Sequence, residues 1–156
     1  MVVFSVGTAG WGSIGDFIAM LLDMSVGWVI DCRTSPWSHK PEYRGEALAG
    51  SLRDAGIGYA HWVALGGRPD GRKTGPEFDW TAGYDRPILQ VSAMEERDEY
   101  VAHIERVING AQAGHKIALL CACGKHETCH RGYVLTPSLV KRGVEVEHIY
   151  PEQLPF

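Results

Sequence analysis

Ile117-Ala118-Leu119-Leu120-Cys121 is an unbroken apolar run, with Lys116 before it and Ala122-Cys123-Gly124-Lys125 after it. A strand with one wet face alternates apolar and polar residues. A strand that is apolar throughout fits the centre of a parallel sheet covered by helices on both faces. Working outward, Tyr100, Val101, Ile104, Val107, Ile108 and Ala111 recur at helical spacing just upstream and stop near Gly114. Ser92 with Glu95 has the form of a capping box opening that helix. Downstream, a helix is expected from about Cys129 to Arg142, kinked by Pro137, and then a strand from Val144 to Tyr150.

The N-terminal half repeats the alternation. Val2 to Val6 reads as a strand, and Ser13 with Asp16 resembles a cap for a helix carrying Phe17, Ile18, Leu21 and Leu22. Trp28 to Asp31 is a second apolar run. Ala47, Leu48, Leu52 and Ala55 form a stripe closed by Gly56, and Ile57 to Val63 reads as a third strand. The fold class expected is α/β: a single three-layer Rossmann-like sandwich with a mainly parallel sheet, spanning residues 1–156. Residues 66–87, rich in Gly and Pro and carrying Phe78, Trp80 and Tyr84, are expected to be a long loop or lid within it.

Composition bounds the function classes. A chain of 156 residues, 45% hydrophobic, can bury roughly 68–70% of its unfolded surface, so no staple is required for a core. Its apolar stretches fall far short of the ~20 residues that cross a bilayer, and the expectation is a cytoplasmic protein with no membrane partner. The net charge of −4 argues against extended nucleic acid as a partner. That charge is unevenly spread. Arg33–Arg44, Arg68–Lys73 and Lys125–Arg131 together carry a formal +5, leaving −9 on the rest of the chain. Glycine is also high, at 19 residues.

In an open parallel sheet, ligands bind beyond the carboxyl ends of the strands. The residues expected there are Gly7, Thr8 and Trp11; Asp31, Arg33 and, further along that loop, Ser38; Gly66, Gly67 and Arg68; and Cys121 to Arg131. Cys121-Ala122-Cys123-Gly124-Lys125-His126-Glu127-Thr128-Cys129-His130-Arg131 admits several readings. Zinc is one, but Cys121 ends a buried strand and no second Cys-x-x-Cys or His-x-x-x-His knuckle exists, so no metal is expected. A thiolate nucleophile at Cys121 or Cys123 is another, although the segment lacks the Cys-x5-Arg spacing of tyrosine phosphatases. An anion cradle is a third, in which Arg131 and loop amides hold a phosphate while Cys129 packs as a small apolar residue, with Cys129, His130 and Arg131 among the expected ligand-binding residues; an inert buried cysteine cluster is a fourth. Asp31 and Arg33 can orient a ribose and a phosphate, or Asp31 can cap a loop or form a structural ion pair with Arg131. Trp11, Trp37 and Trp80 can stack on a base or cover the core. His61, His103, His115 and His148 read as structural or solvated.

Over nearly its whole length the chain resembles the bacterial domain-of-unknown-function family numbered 488. The matching pieces are Phe4 to Gly7, Asp31-Cys32-Arg33-Thr34-Ser35-Pro36-Trp37-Ser38, Ala55-Gly56-Ile57, Leu65 to Arg68, Leu120-Cys121 with Cys129-His130-Arg131, and Gly143 to Ile149. The resemblance implies a Rossmann-like α/β sandwich with a pocket at the strand ends. It also marks departures: Thr8 stands where the family carries a histidine, Ala122-Cys123 where it carries an acid, and His39 where it carries an arginine. If that histidine and acid transfer a proton, this chain binds without turnover.

The expected function is therefore binding of a phosphorylated small molecule, a nucleotide or ADP-ribose-like ligand, with Arg33, Arg68 and Arg131 on phosphates and no cofactor. The alternative is an enzyme, using Cys121 or Cys123 in rhodanese-like thiol chemistry or Asp31 in hydrolysis of such a ligand. A structural zinc site is third. A homo-oligomer is compatible with the sequence.

Overall fold

A computed structural model of the chain describes residues 1–72, 75–79 and 88–151. Strand β1 (Val2–Gly7) is followed by helix α1 (Ile14–Asp23), β2 (Trp28–Asp31), α2 (Gly45–Asp54) and β3 (Gly58–His61). Next come β4 (Phe78–Asp79), β5 (Ile88–Leu89), α3 (Val91–Glu95), α4 (Asp98–Gln112), β6 (Ile117–Cys121), α5 (Thr136–Val140) and β7 (Glu145–Ile149). The main sheet has five strands in the order β3-β2-β6-β1-β7, every adjacent pair parallel. β4 and β5 form a separate antiparallel pair.

Helices cover both faces of the sheet, which makes the architecture the Rossmann-like α/β sandwich expected from the apolar run. The strand period of two sends alternate residues to opposite layers. Phe4, Val6, Val29, Ala118 and Leu120 pack with Phe17, Met20 and Leu21 of α1 and Leu48 and Leu52 of α2. Val3, Ile30, Ile117 and Leu119 pack with Tyr100, Ile104, Val107 and Ile108 of α4 and Leu139 of α5. Leu119 and Leu120 are both fully buried, one in each layer, so truncating either to Ala costs about 2–5 kcal/mol.

Local signals place most element ends. The Ser13 side chain accepts a hydrogen bond from the Asp16 amide at 3.0 Å, capping α1. Gly56 and Gly114 follow α2 and α4 with φ of +78° and +92°, a region that costs a residue with a Cβ.

Three expectations change. The Ser92–Glu95 pair does not open the long helix: both residues lie within α3, and α4 begins after Arg97 with no side-chain cap. No regular helix starts at Cys129. Residues Arg131–Leu135 form a π turn, and α5 begins at Thr136 with Pro137 in its first turn. Proline lacks the amide that an unbroken α-helix needs, so the kink takes the form of a π-to-α switch. The third strand is also shorter than expected, because Val63–Leu65 turns into a 3-10 segment.

Only part of the 66–87 segment falls within the described residues; Lys73, Trp80 and Tyr84 lie outside them. The described part is tied to the body by ion pairs, with Arg97 meeting Asp70 at 2.9 Å and Glu77 at 3.6 Å. No helix of the described residues is long and apolar enough to cross a membrane.

Candidate functional site

β1 and β6 are neighbours whose following helices leave to opposite faces, the arrangement that ordinarily opens a crevice between two strands. Here that crevice is filled. A Cβ on Gly7 would run into the Cys123 carbonyl and come within 3.2 Å of Arg131 Nη2, so glycine lets the loop after β6 lie directly on the end of β1. The Thr8 amide donates to the Cys121 carbonyl at 3.0 Å and closes the gap. Trp11 turns inward, 4% exposed, with its Nε1 donating to the Gly7 carbonyl at 2.9 Å and its ring 5.7 Å from that of Phe17. Gly7, Thr8 and Trp11 are thus interior.

The opening lies on the other side of β6. A cleft of about 660 Å³ is lined by Arg33, Thr34, Ser35 and Trp37 from the loop after β2, by Gly67 and Arg68 from beyond β3, by Cys121, Ala122 and Cys123 from the end of β6, and by Cys129, His130 and Tyr133. Thr34 accepts a hydrogen bond from the Arg68 amide at 3.1 Å, joining two walls. Gly66 allows this contact, since a Cβ there would lie 2.8 Å from Thr34 Oγ1. Gly67 packs flat on the His130 ring, where a Cβ would approach Nδ1 to 3.0 Å. Trp37 is exposed at the rim with the Arg44 guanidinium 5.4 Å from its ring centre. Ser38 does not line the cleft; its side chain accepts from the Lys40 amide at 3.2 Å and holds a turn.

The three arginines take different roles. Arg33 Nε donates to Asp31 Oδ1 at 2.9 Å and Nη2 to Oδ2 at 2.6 Å, while Nη1 donates to the Tyr43 carbonyl at 2.8 Å. Tyr59 adds its hydroxyl to Asp31 Oδ2 at 2.6 Å, and Asp31 is wholly buried. Asp31 is therefore saturated within the framework, with neither oxygen turned to the cleft. Arg131 is 1% exposed beneath the floor, donating from Nη1 to Ser5 Oγ at 2.9 Å and from Nη2 to the Cys123 carbonyl at 2.7 Å. Arg68 alone of the three is exposed. Lys125, of the third basic segment, lines a separate cavity with Ala9, Gly10, Gly124, Glu127, Tyr150 and Pro151.

The floor is sulfur. The Sγ atoms of Cys121, Cys123 and Cys129 lie within 4.8 Å of one another, and none of the four cysteines is in a disulfide. His130 Nδ1 is 3.6 Å from Cys129 Sγ and 3.8 Å from Cys121 Sγ. Hydrogen bonding with Cys123 and Cys129, followed by burial, pushes the Cys121 thiol up. Cys129 moves the other way, because the Cys121 and Cys123 thiols and His130 all favour its charged form. The cluster thus favours a thiolate at Cys129 and a thiol at Cys121. Cys32, fully buried below, is pushed up by desolvation and then by Asp31.

Of the residues picked out in the sequence, Arg33, Gly67, Arg68, Cys121, Cys123, Cys129 and His130 come together around one cleft, and Trp37 with them. Thr34, Ser35 and Tyr133 were not singled out as lining residues. Tyr133 is directed by the π turn, which Gly132 permits where a Cβ would meet the His126 carbonyl. The proline that breaks the helix was its one sequence signal.

A parallel sheet between two helical layers, with strand-end loops enclosing a basic, sulfur-floored cleft, defines a Rossmann-like α/β domain. The model of the family described as domain of unknown function DUF488 matches residues 13–136, and the chain belongs to that family. No curated protein and no solved structure matches it.

Proposed function

We propose that the cleft binds a phosphorylated small molecule, a nucleotide or ADP-ribose-like compound, and captures it without turnover. The observation that carries this reading is the lining: the exposed Arg68 guanidinium stands at the cleft beside Arg33 and His130, and no carboxylate lines it among the described residues. The volume of about 660 Å³ falls within the 300–1,000 Å³ of small-molecule sites. Thr34, Ser35 and Tyr133 supply hydroxyls for a sugar, and Trp37 at the rim supplies a ring face for a base. Arg68 supplies the exposed phosphate contact.

Calorimetry with AMP, ADP, ADP-ribose and inorganic phosphate tests the reading. One saturable site for a nucleotide is expected, with the ligand recovered intact by mass spectrometry. Arg68→Ala removes a charge-assisted hydrogen bond of about 1.5–3 kcal/mol and weakens binding roughly 10- to 100-fold without lowering the melting temperature. Trp37→Ala weakens the nucleotides and leaves phosphate alone. No heat with any ligand, or unchanged affinity in Arg68→Ala, overturns it. The sulfur floor supports a second reading, thiol-dependent transfer, for which recovery of a converted ligand is the sign.

A further inference from the structure

Three cysteines and one histidine from an eleven-residue stretch meet at the cleft floor. Zn–S bonds of about 2.3 Å and Zn–N bonds of about 2.0–2.1 Å at tetrahedral angles separate sulfurs by about 3.8 Å and place nitrogen about 3.5 Å from sulfur. His130 Nδ1 already stands 3.6 Å and 3.8 Å from the sulfurs of Cys129 and Cys121. The sulfurs, all within 4.8 Å of one another, need to close by at most about 1 Å to match that geometry, while His130 Nδ1, outside that 4.8 Å set, needs to approach Cys123 Sγ by more than about 1 Å.

A second observation is independent of those distances. Arg131 is 1% exposed, its Nε has no hydrogen-bond partner, and no carboxylate pairs with it among the described residues. A buried charge is costly unless it is paired. Arg131 follows His130 directly and donates to the Cys123 carbonyl, so it lies against this cluster. Three thiolates, a neutral imidazole and a divalent zinc ion sum to one negative charge, so the filled site keeps beside this guanidinium the single negative charge that a Cys129 thiolate supplies without metal.

We infer that Cys121, Cys123, Cys129 and His130 bind one zinc ion in a closed tetrahedral Cys3His site, which fixes the loop after β6 and neutralises Arg131. Thiolate and imidazole donors without oxygen suit zinc over magnesium, calcium or manganese, and four protein ligands make the site structural. The spacing that disfavours zinc in the sequence is overcome by the fold. A strand-end cysteine is met by a loop that doubles back over Gly7 and Gly132, both too close to backbone carbonyls to carry a Cβ. The inference does not depend on the anion reading, since zinc bound without nucleotide upholds the one and overturns the other. A filled site ties the three floor sulfurs up as ligands, so it competes with thiol-dependent transfer.

The test uses the untagged full chain, purified without chelator and given one equivalent of zinc before exhaustive dialysis. Elemental analysis is expected to find about one zinc per chain, and cobalt(II) in its place is expected to give thiolate-to-cobalt charge-transfer absorption with the intense visible bands of a tetrahedral ion. Cys123→Ser, at a half-buried position, is expected to weaken retention at least 10-fold and reduce the charge-transfer intensity while the far-ultraviolet dichroism persists. Less than about a tenth of an equivalent retained by the unmodified chain, or an octahedral cobalt spectrum, overturns the inference whatever the variant does. Full retention in folded Cys123→Ser removes Cys123 from the ligand set and overturns the Cys3His assignment.

Discussion

Arg33 borders the cleft, yet its bonds assign it to the framework, and methionine at this position separates the two roles. Methionine keeps much of the stem and removes the guanidinium. Asp31, with no exposure, is then left with the Tyr59 hydroxyl and the residue-33 amide, after losing contacts of 2.6 and 2.9 Å. Removing one partner of a buried pair costs about 3–5 kcal/mol, because the remaining charge is uncompensated. For a chain of this length each kcal/mol is worth about 2–4 °C, so the melting temperature should fall by about 6–20 °C. Replacing both charges with apolar groups, in Asp31→Leu with Arg33→Met, should recover more than half of the loss, as apolar replacements of buried pairs commonly do. Urea unfolding at neutral pH, followed by tryptophan fluorescence, measures all three proteins. A loss below about 1 kcal/mol in Arg33→Met, accompanied by a hundredfold loss of nucleotide affinity, would refute the framework role and return Arg33 to the ligand.

Gly7→Ala forces a methyl against the Cys123 carbonyl; overpacking of this kind costs about 1–3 kcal/mol, and faster reaction of the floor thiols with a disulfide reagent should accompany it. Glu95 accepts from both Arg142 nitrogens at 2.7 Å and from Lys141 at 2.9 Å, and Arg142 above all holds it down to about 2. Its folded value lies below its unfolded value, so its contribution is complete above the usual carboxylate range and is lost as pH falls toward 2. Glu95→Gln should cost about 1–3 kcal/mol at neutral pH and flatten that acid limb in denaturant titrations. His148 stacks on His126 at 3.5 Å and is held down to about 4 by burial and then by His126. The unfolded chain takes up this proton first. Stability should therefore decline as pH drops from about 6.5 to about 4, and His148→Phe, which keeps a stacking ring, should remove that part of the slope.

The sheet was legible because burial on both faces leaves a signature that needs no partner to be read. Ile117 to Cys121 is apolar throughout because one layer takes Leu119 and the other takes Leu120. Ser13 and the glycines at 56 and 114 were legible for a similar reason, since a cap or a positive φ is satisfied within a few residues. Features set by contacts distant in sequence were not. The Ser92–Glu95 pattern has the right local form, but α3 ends at Glu95 and the chain restarts at Asp98. Arg131 as the ion-pair partner of Asp31 is overturned: residues two apart share a face, so Arg33 reaches Asp31, and Arg131 turns to Ser5 and the Cys123 carbonyl.

Reading the three basic segments as one phosphate-binding set assumed that positive charge at a strand end is available charge. Burial divides that set. Arg33 is neutralised by Asp31, Arg131 is enclosed under the sulfur floor, Lys125 faces another cavity, and Arg68, like Arg44 and Arg72, meets solvent. The same division follows from Gly7. With a side chain there, the loop after β6 could not rest on β1, and the β1–β6 crevice would stay open with Thr8 and Trp11 on its wall. With glycine, the Cys123 carbonyl takes that space, the opening moves to the β2 side of β6, and Trp11 becomes core. A change at Trp11 should thus register as stability and a change at Trp37 as affinity, although both are aromatic residues in loops that follow parallel strands.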